Sequence, residues 1–432
     1  MKTHFKIVKK AVLEASMNTL FSANVIRDVA TSDETKETSR TKPQYFTRNK
    51  KIPFCELLYF LLNPAKECLQ TRLNNFFKAI GRKDMRISQQ AISAARSHFD
   101  HTPFEKMARK HVEIEYGGGF PLETWNGYHI FGIDGSTAIL PGSPELKNEF
   151  GVSGCASDCA SAGISILCDV LHDWIIDASI SQYPQDEREN AKAHIDFLKT
   201  QMAHLEEMII LFDRGYPSTG MLEYLRNAGV NYLMRCQKSW LAEVSGAPMG
   251  DSIQILKSGH KIRVYKFILS SGEEETLITN LFELSADELP RLYFLRWGVE
   301  GKYDVLKNKI ELENFSGYTK NAIFQDFWVS ITLSIVVAIA KKEADEKIQK
   351  RVEGKNNRRK QIPNVSQLVG SLKDDFVIAC RLPTDSLRKV AIDCIIKEIS
   401  YAVTTVRPDR IPHKRATMVK KKQYPINRKS NI

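Results

Sequence analysis

Apolar residues recur at helical spacing through the first quarter of the chain. Val8, Ala11, Val12 and Ala15 stand at i, i+3, i+4 and i+7, which predicts a helix near the start. Residues 31–50 are polar and aperiodic and read as a flexible linker or loop. From 54 to about 108 the helical pattern returns. In the stretch 86–99, Ser88 is a plausible cap and one face carries small residues, a pattern that suits a helix-turn-helix recognition element or a plain bundle.

After Tyr116 and three glycines the period changes. Runs at 128–134, 163–171 and 174–180 read as strands, and a helix is expected over about 187–205. A strand at 208–213, a helix at 218–228 and a strand at 231–236 follow, which predicts an α/β sheet covered by helices. Residues 237–280 read as a β-rich insertion. Ser285 with Glu288 three positions on forms a capping box ahead of a long helical segment. The apolar stretch 327–340 is broken by Ser330, Thr332 and Ser334 and is shorter than a bilayer span, so it reads as a buried helix.

Composition adds a charge and a compartment. The 432 residues carry 62 Lys and Arg against 51 Asp and Glu, a net +11, which favours a polyanionic partner. Between 407 and 429 stand nine basic residues and only Asp409 against them, so +8 of that total lies in one arm. Lys355, Arg358, Arg359 and Lys360 form a second basic cluster. Lys6, Lys9, Lys10 and Glu14 interrupt any apolar leader, so a soluble, cytoplasmic protein is expected, with no membrane partner. The eight cysteines are scattered. Cys155 and Cys159, with Cys168 and His172 after them, lack the second ligand pair of a zinc site, so reduced thiols are expected.

Three carboxylates sit where chemistry is usually placed. Asp134 ends an apolar run and precedes Gly135 and Ser136; Asp213 ends another and precedes Arg214, Gly215 and Tyr216. Acidic residues at the mouths of buried strands suit a hard cation such as Mg²⁺, although Asp-Gly pairs also serve as plain turns. If 293–307 is one helix, Tyr293, Arg296, Glu300 and Lys307 share an arc of roughly 60°, because each residue advances about 100°. That stripe fits one metal ligand among phosphate contacts, or an ordinary solvated face with Arg296 paired to Glu300.

Taken in order, the three motifs resemble those of insertion sequence 4 family transposases. Asp134-Gly-Ser matches that family's first acidic motif, Asp213-Arg-Gly-Tyr its second, and Tyr293, Arg296, Glu300 and Lys307 its Y-R-E-K signature. The resemblance implies a ribonuclease H-like catalytic domain at 116–335, with the β-rich insertion at about 237–280. A helical DNA-binding region at 1–115 and a helical region with the basic tail at 336–432 would flank it. It further implies that Asp134, Asp213 and Glu300 are the catalytic metal ligands, binding two Mg²⁺ ions, or Mn²⁺ in their place. Tyr293, Arg296 and Lys307 would be DNA-binding residues. The implied function is cut-and-paste DNA transposition on terminal inverted repeats and target DNA, by a homodimer on DNA associated with the nucleoid. An RNase H-like nuclease without joining activity and a non-enzymatic DNA-binding regulator are the alternatives. Trp240, Trp297 and Arg235 are further positions that could meet DNA, whereas His172, His194 and His204 read as structural or surface residues.

Overall fold

The computed structural model describes residues 18–48, 52–63, 68–117, 122–154, 159–202, 204–354 and 359–406, the side chain at 374 apart. The helix expected at 8–15, Cys155, Lys355, Arg358 and the tail at 407–429 lie outside these residues. The chain divides into two compact units: one takes 1–120, 138–161 and 305–432, the other 121–137 and 162–304.

The first unit is helical. Its helices include Thr19–Thr31, Phe54–Leu61, Leu69–Ala79, Gln89–Arg96, Thr102–Gly117, Lys320–Val352 and Asp385–Tyr401. The loop expected over 31–50 is in part a helix, Asp33–Ser39. Ser32 caps it by accepting from the Thr35 amide at 3.1 Å, and Asp33 and Glu34 oppose the positive end of the helix dipole. It buries Thr35 and Ser39 rather than large apolar side chains, which is why no hydrophobic period announces it.

Ser88 does cap Gln89–Arg96, accepting from the Ala91 amide at 3.3 Å. The connection to the preceding helix nevertheless spans residues 80–88, against the three or four of a helix-turn-helix turn. Arg96 points inward. Its guanidinium donates to Gln325 Oε1 (2.6 Å), Ser316 Oγ (2.6 Å), the Ala322 carbonyl (2.9 Å) and Asp326 Oδ1 (2.7 Å). The helix ends in an internal anchor and not in a base-reading side chain. Lys320–Val352 is long and apolar enough to cross a membrane, but 89% of its most apolar window is buried within the protein.

The strands β1 His129–Leu140, β2 Ala160–Asp169, β3 Trp174–Gln182, β4 Met208–Phe212, β5 Asn231–Cys236, β6 Gly250–Ile255, β7 Lys261–Ile268 and β8 Glu274–Thr279 form one mixed sheet. Their order is β3-β2-β1-β4-β5-β8-β7-β6. β4 pairs in parallel with both β1 and β5, while β2–β3 and β5–β8–β7–β6 are antiparallel. The strands of the expected insertion therefore extend the main sheet from β5 instead of forming a separate one. Near-continuous burial along β2 and β4 is what a strand covered on both faces requires.

Side chains alternate across a strand, so Ile130, Gly132 and Asp134 share one face of β1, and Ile209, Leu211 and Asp213 form the matching row from β4. Ile130, Ile209 and Leu211 are buried with Leu289 and Leu292 of the helix Glu288–Phe294. A Cβ at Gly132 would stand 2.4 Å from Val299 Cγ2, so only glycine lets the helix Trp297–Asp304 lie against β1 at that point. Both apolar rows thus run under helical cover and end in an aspartate.

Candidate active site

The register sets the first two carboxylates side by side. The last β1–β4 pair is Gly132 with Leu211, and two residues further along each chain stand Asp134 and Asp213. Parallel neighbours lie about 4.8 Å apart, so the two carboxyl groups share one patch of the sheet. The sequence pattern places Asp134 at a strand end, but β1 continues through Gly135 and Ser136 to Leu140. The turn lies after β4, where the Tyr216 amide donates to the Asp213 carbonyl at 3.2 Å.

Burial pushes the Asp134 carboxyl up to about 6, and the nearby charges of Asp213 and Glu187 push the same way. The Gly135 amide, which donates to Asp134 Oδ1 at 2.9 Å, and the Arg296 guanidinium oppose this only in part. The Asp134 carbonyl is held from below: Tyr303 Oη donates to it at 2.9 Å and Ser165 Oγ at 3.4 Å. Tyr303 lies one turn beyond Glu300, so the helix bearing the third carboxylate is tied directly to the strand bearing the first.

The continuous helix expected over 293–307 is broken. Glu288–Phe294 ends before Arg296, Trp297–Asp304 follows, and Val305–Ile310 is wound as a π-turn. A tight turn with i→i+3 hydrogen bonds joins the first two pieces, so the regular arc of Tyr293, Arg296, Glu300 and Lys307 is not kept. Three of the four still act together. Tyr293 Oη donates to Asp213 Oδ1 over a long 3.5 Å, and the buried Arg296 donates from Nη2 to Glu300 Oε1 at 2.6 Å. Burial works against the Arg296 charge, but Glu300, Tyr293 and Asp213 together raise its pKa. Lys307 belongs to the other compact unit, with Nζ 3.9 Å from Glu313 Oε1.

Among the described residues no three His, Cys, Asp or Glu side chains stand ready to hold a metal ion. The expected three-carboxylate centre is thus not preassembled: the acidic side chains around Asp134 and Asp213 do not close on a common point, and Glu300 is engaged by Arg296. Arg235 is also engaged, in a two-point ion pair with Glu275 across β5 and β8. Trp297 is 53% exposed, with the Arg296 guanidinium 5.3 Å from its ring centre. The seven described cysteines are free thiols.

His194 is wholly internal. Its Nδ1 lies 2.8 Å from Asp177 Oδ2 and its Nε2 lies 3.0 Å from Ser165 Oγ, so it braces the floor beneath Asp134. Sequence reasoning missed Glu187, whose charge reaches Asp134. It opens the helix Glu187–Gln201 behind the Asp186 cap, and an acidic residue in a first turn needs no further explanation than the helix dipole. No spacing links it to Asp134.

The fold and site describe an acidic centre at the end of two parallel strands in a mixed α/β sheet. Residues 125–336, which include Asp134, Asp213 and Glu300, match the model of the transposase DDE domain family. The chain is also 22% identical over 201 residues to the Escherichia coli K12 protein called "Putative transposase InsZ". That match covers 45% of this chain and 62% of the relative, so the chain spans under two thirds of the relative's length. Among solved structures it is similar to the piggyBac transposase synaptic complex with hairpin DNA. The identity is 11% and the TM-score 0.45, with 90% of this chain and 86% of that one covered.

Proposed function

We propose that the chain is a DNA transposase, an enzyme that cleaves DNA at element ends and joins the freed 3′-OH to target DNA. The observation that carries this reading is the parallel register of β1 and β4, whose last pair, Gly132 with Leu211, lies two residues before Asp134 and Asp213, inside the stretch that matches the transposase DDE domain. The strand order β3-β2-β1-β4-β5, with β2–β3 antiparallel and β1–β4–β5 parallel, supports a ribonuclease H-like core. Asp134, Asp213, Tyr293, Arg296, Glu300 and Lys307 in this order support the insertion sequence 4 family within the wider DDE group.

The donor set fits a hard divalent cation, since carboxylate oxygens are what Mg²⁺ or Mn²⁺ takes. Asp134 and Asp213 would hold it, with Glu300 as the third ligand. When bound, the cation supplies charge neutralisation at the reacting phosphodiester. The chain's own residues do the rest. Arg296 holds Glu300 in the DNA-free protein, and a guanidinium is the side chain best shaped to grip a DNA phosphate at two points. Phosphate binding at Arg296 would free Glu300 to turn toward the two aspartates. Tyr293 holds Asp213 in place, and its phenol stays protonated because burial raises its pKa. Trp297, exposed beside Arg296, offers a face on which an unstacked base would rest. Two copies of the chain would bring two DNA ends together.

The test is cleavage and strand transfer on labelled element ends in Mg²⁺. Asp134→Asn, Asp213→Asn and Glu300→Gln are each expected to abolish both reactions while DNA binding persists. Unchanged cleavage by all three variants would refute the proposal. Cleavage without transfer of a pre-cut 3′-OH end by the intact protein would instead mark a nuclease.

A further inference from the structure

A third acidic side chain lies against the glycines that follow the two aspartates, closely enough at Gly135 that a Cβ there would clash with it and with Gln185 Nε2. A Cβ at Gly135 would lie 2.8 Å from Glu187 Oε1, and one at Gly215 would lie 3.4 Å from Glu187 Oε2. The carboxylate therefore reaches from the Asp134-Gly135 segment to the Asp213-Arg214-Gly215 turn, one oxygen toward each.

Its neighbours hold it there. Gln185 Nε2 donates to the Ser136 carbonyl (3.3 Å) and the Ile164 carbonyl (3.1 Å), which fixes the chain on β1 and β2. Arg188 donates from Nε to the Tyr216 carbonyl (3.1 Å) and from Nη2 to the Gly215 carbonyl (2.8 Å), which fixes it on the turn after β4. Asp186 Oδ1 accepts from the Arg188 and Glu189 amides and sets the helix entry between these clamps. The Glu187 side chain makes no hydrogen bond or ion pair among the described residues, so the clamps position a carboxylate that the protein does not use internally.

A second observation points to a missing ligand. Tyr216 is 1% exposed, its hydroxyl has no hydrogen-bond partner among the described residues, and the charges of Asp134, Glu187 and Asp213 all bear on it. A buried hydroxyl left unpaired costs about 1–3 kcal/mol, unless a group absent from the free protein, such as an ordered water on a bound cation, completes it.

We propose that Glu187 is a fourth carboxylate of the divalent-cation site, binding the hydrated ion beside Asp134 and Asp213. This rests on the metal-binding reading of those two aspartates. It differs from an ordinary helix N-terminal acid in one respect: the side chain fills the space that the missing Cβ of Gly135 leaves, within contact distance of Gly215.

Mn²⁺ binding to the full-length protein without DNA, read by the electron paramagnetic resonance of free Mn²⁺, tests it independently of activity. Glu187→Gln is expected to weaken binding about tenfold or more. Glu189→Gln, two positions on and paired to Lys192, should bind as the unaltered protein does. Asp134→Asn should lose binding. If Asp134→Asn loses Mn²⁺ while Glu187→Gln retains full affinity, the role of Glu187 is overturned and the aspartate site stands. Equal weakening by Glu187→Gln and Glu189→Gln overturns it as well, since that is only an effect of net charge. Full binding by all three variants overturns both readings.

Discussion

Asp134 shows what the site costs the protein at the scale of one residue. Its carboxyl has a folded pKa of about 6 against 3.8 in a free chain, first through burial and then through acidic neighbours. A folded carboxyl with a raised pKa binds more protons than the unfolded one, so stability falls as the pH rises from about 4 to about 6. Above that range the ionised group costs on the order of 1–3 kcal/mol in the absence of a cation. Asp134→Asn is therefore expected to unfold at a higher temperature than the unaltered protein at pH 7 without divalent metal, with the difference vanishing near pH 4. An unchanged or lower unfolding midpoint at pH 7 would show that the carboxylate is not held against its charge. Added Mg²⁺ should raise the midpoint of the unaltered protein and leave that of Asp134→Asn alone.

Between elements, the decisive contact is the crossing of the helix Trp297–Asp304 over β1. Gly132 makes room for Val299, and Tyr303 grips the Asp134 carbonyl, so Glu300 is carried between two fixed points of one helix. Gly132→Ala would force its Cβ into Val299 and is expected to cost about 1–3 kcal/mol by overpacking. Val299→Ala in the same chain should recover part of that loss, and denaturant unfolding of the double-mutant cycle reads the coupling. Additive effects would place the helix elsewhere. The break at Phe294 and the π-turn at Val305–Ile310 were not legible in the residue pattern. An α-helical stripe and an interrupted one share the same spacing, and the interruption is set by how each piece packs on the sheet.

At the scale of the whole molecule, a basic chain does not make every arginine a DNA contact. Arg96 stands on the helix with the most plausible recognition pattern, yet four hydrogen bonds turn it inward to Ser316, Ala322, Gln325 and Asp326. Arg96→Ala leaves Asp326 without its partner and is expected to cost about 3–5 kcal/mol in denaturant unfolding. A base-reading arginine would instead lose DNA affinity at unchanged stability. On the transposase proposal, the nine cations between 407 and 429 would be the better source of sequence-independent DNA affinity. A chain ending at 406 should show a flatter dependence of log K on log salt, by about 0.9 for each phosphate no longer neutralised. An unaltered slope would assign phosphate neutralisation to other residues.

The linear order of residues by itself determined the alternation of strands and helices, the Ser88 helix-entry signal, and the acidic motifs at Asp134, Asp213 and Glu300, whereas Ser285 meets Glu288 without capping the helix Glu288–Phe294. Those features are local: period, capping and turn chemistry act over a few residues and are written in neighbours. The tertiary structure alone decided which charges meet. Parallel register set Asp134 beside Asp213, Arg296 took Glu300, and Glu187 reached between two glycines from the start of a separate helix. Such pairings depend on how strands align and helices cross. Ion pairs and shared cation sites form through space, and no spacing along the chain encodes them.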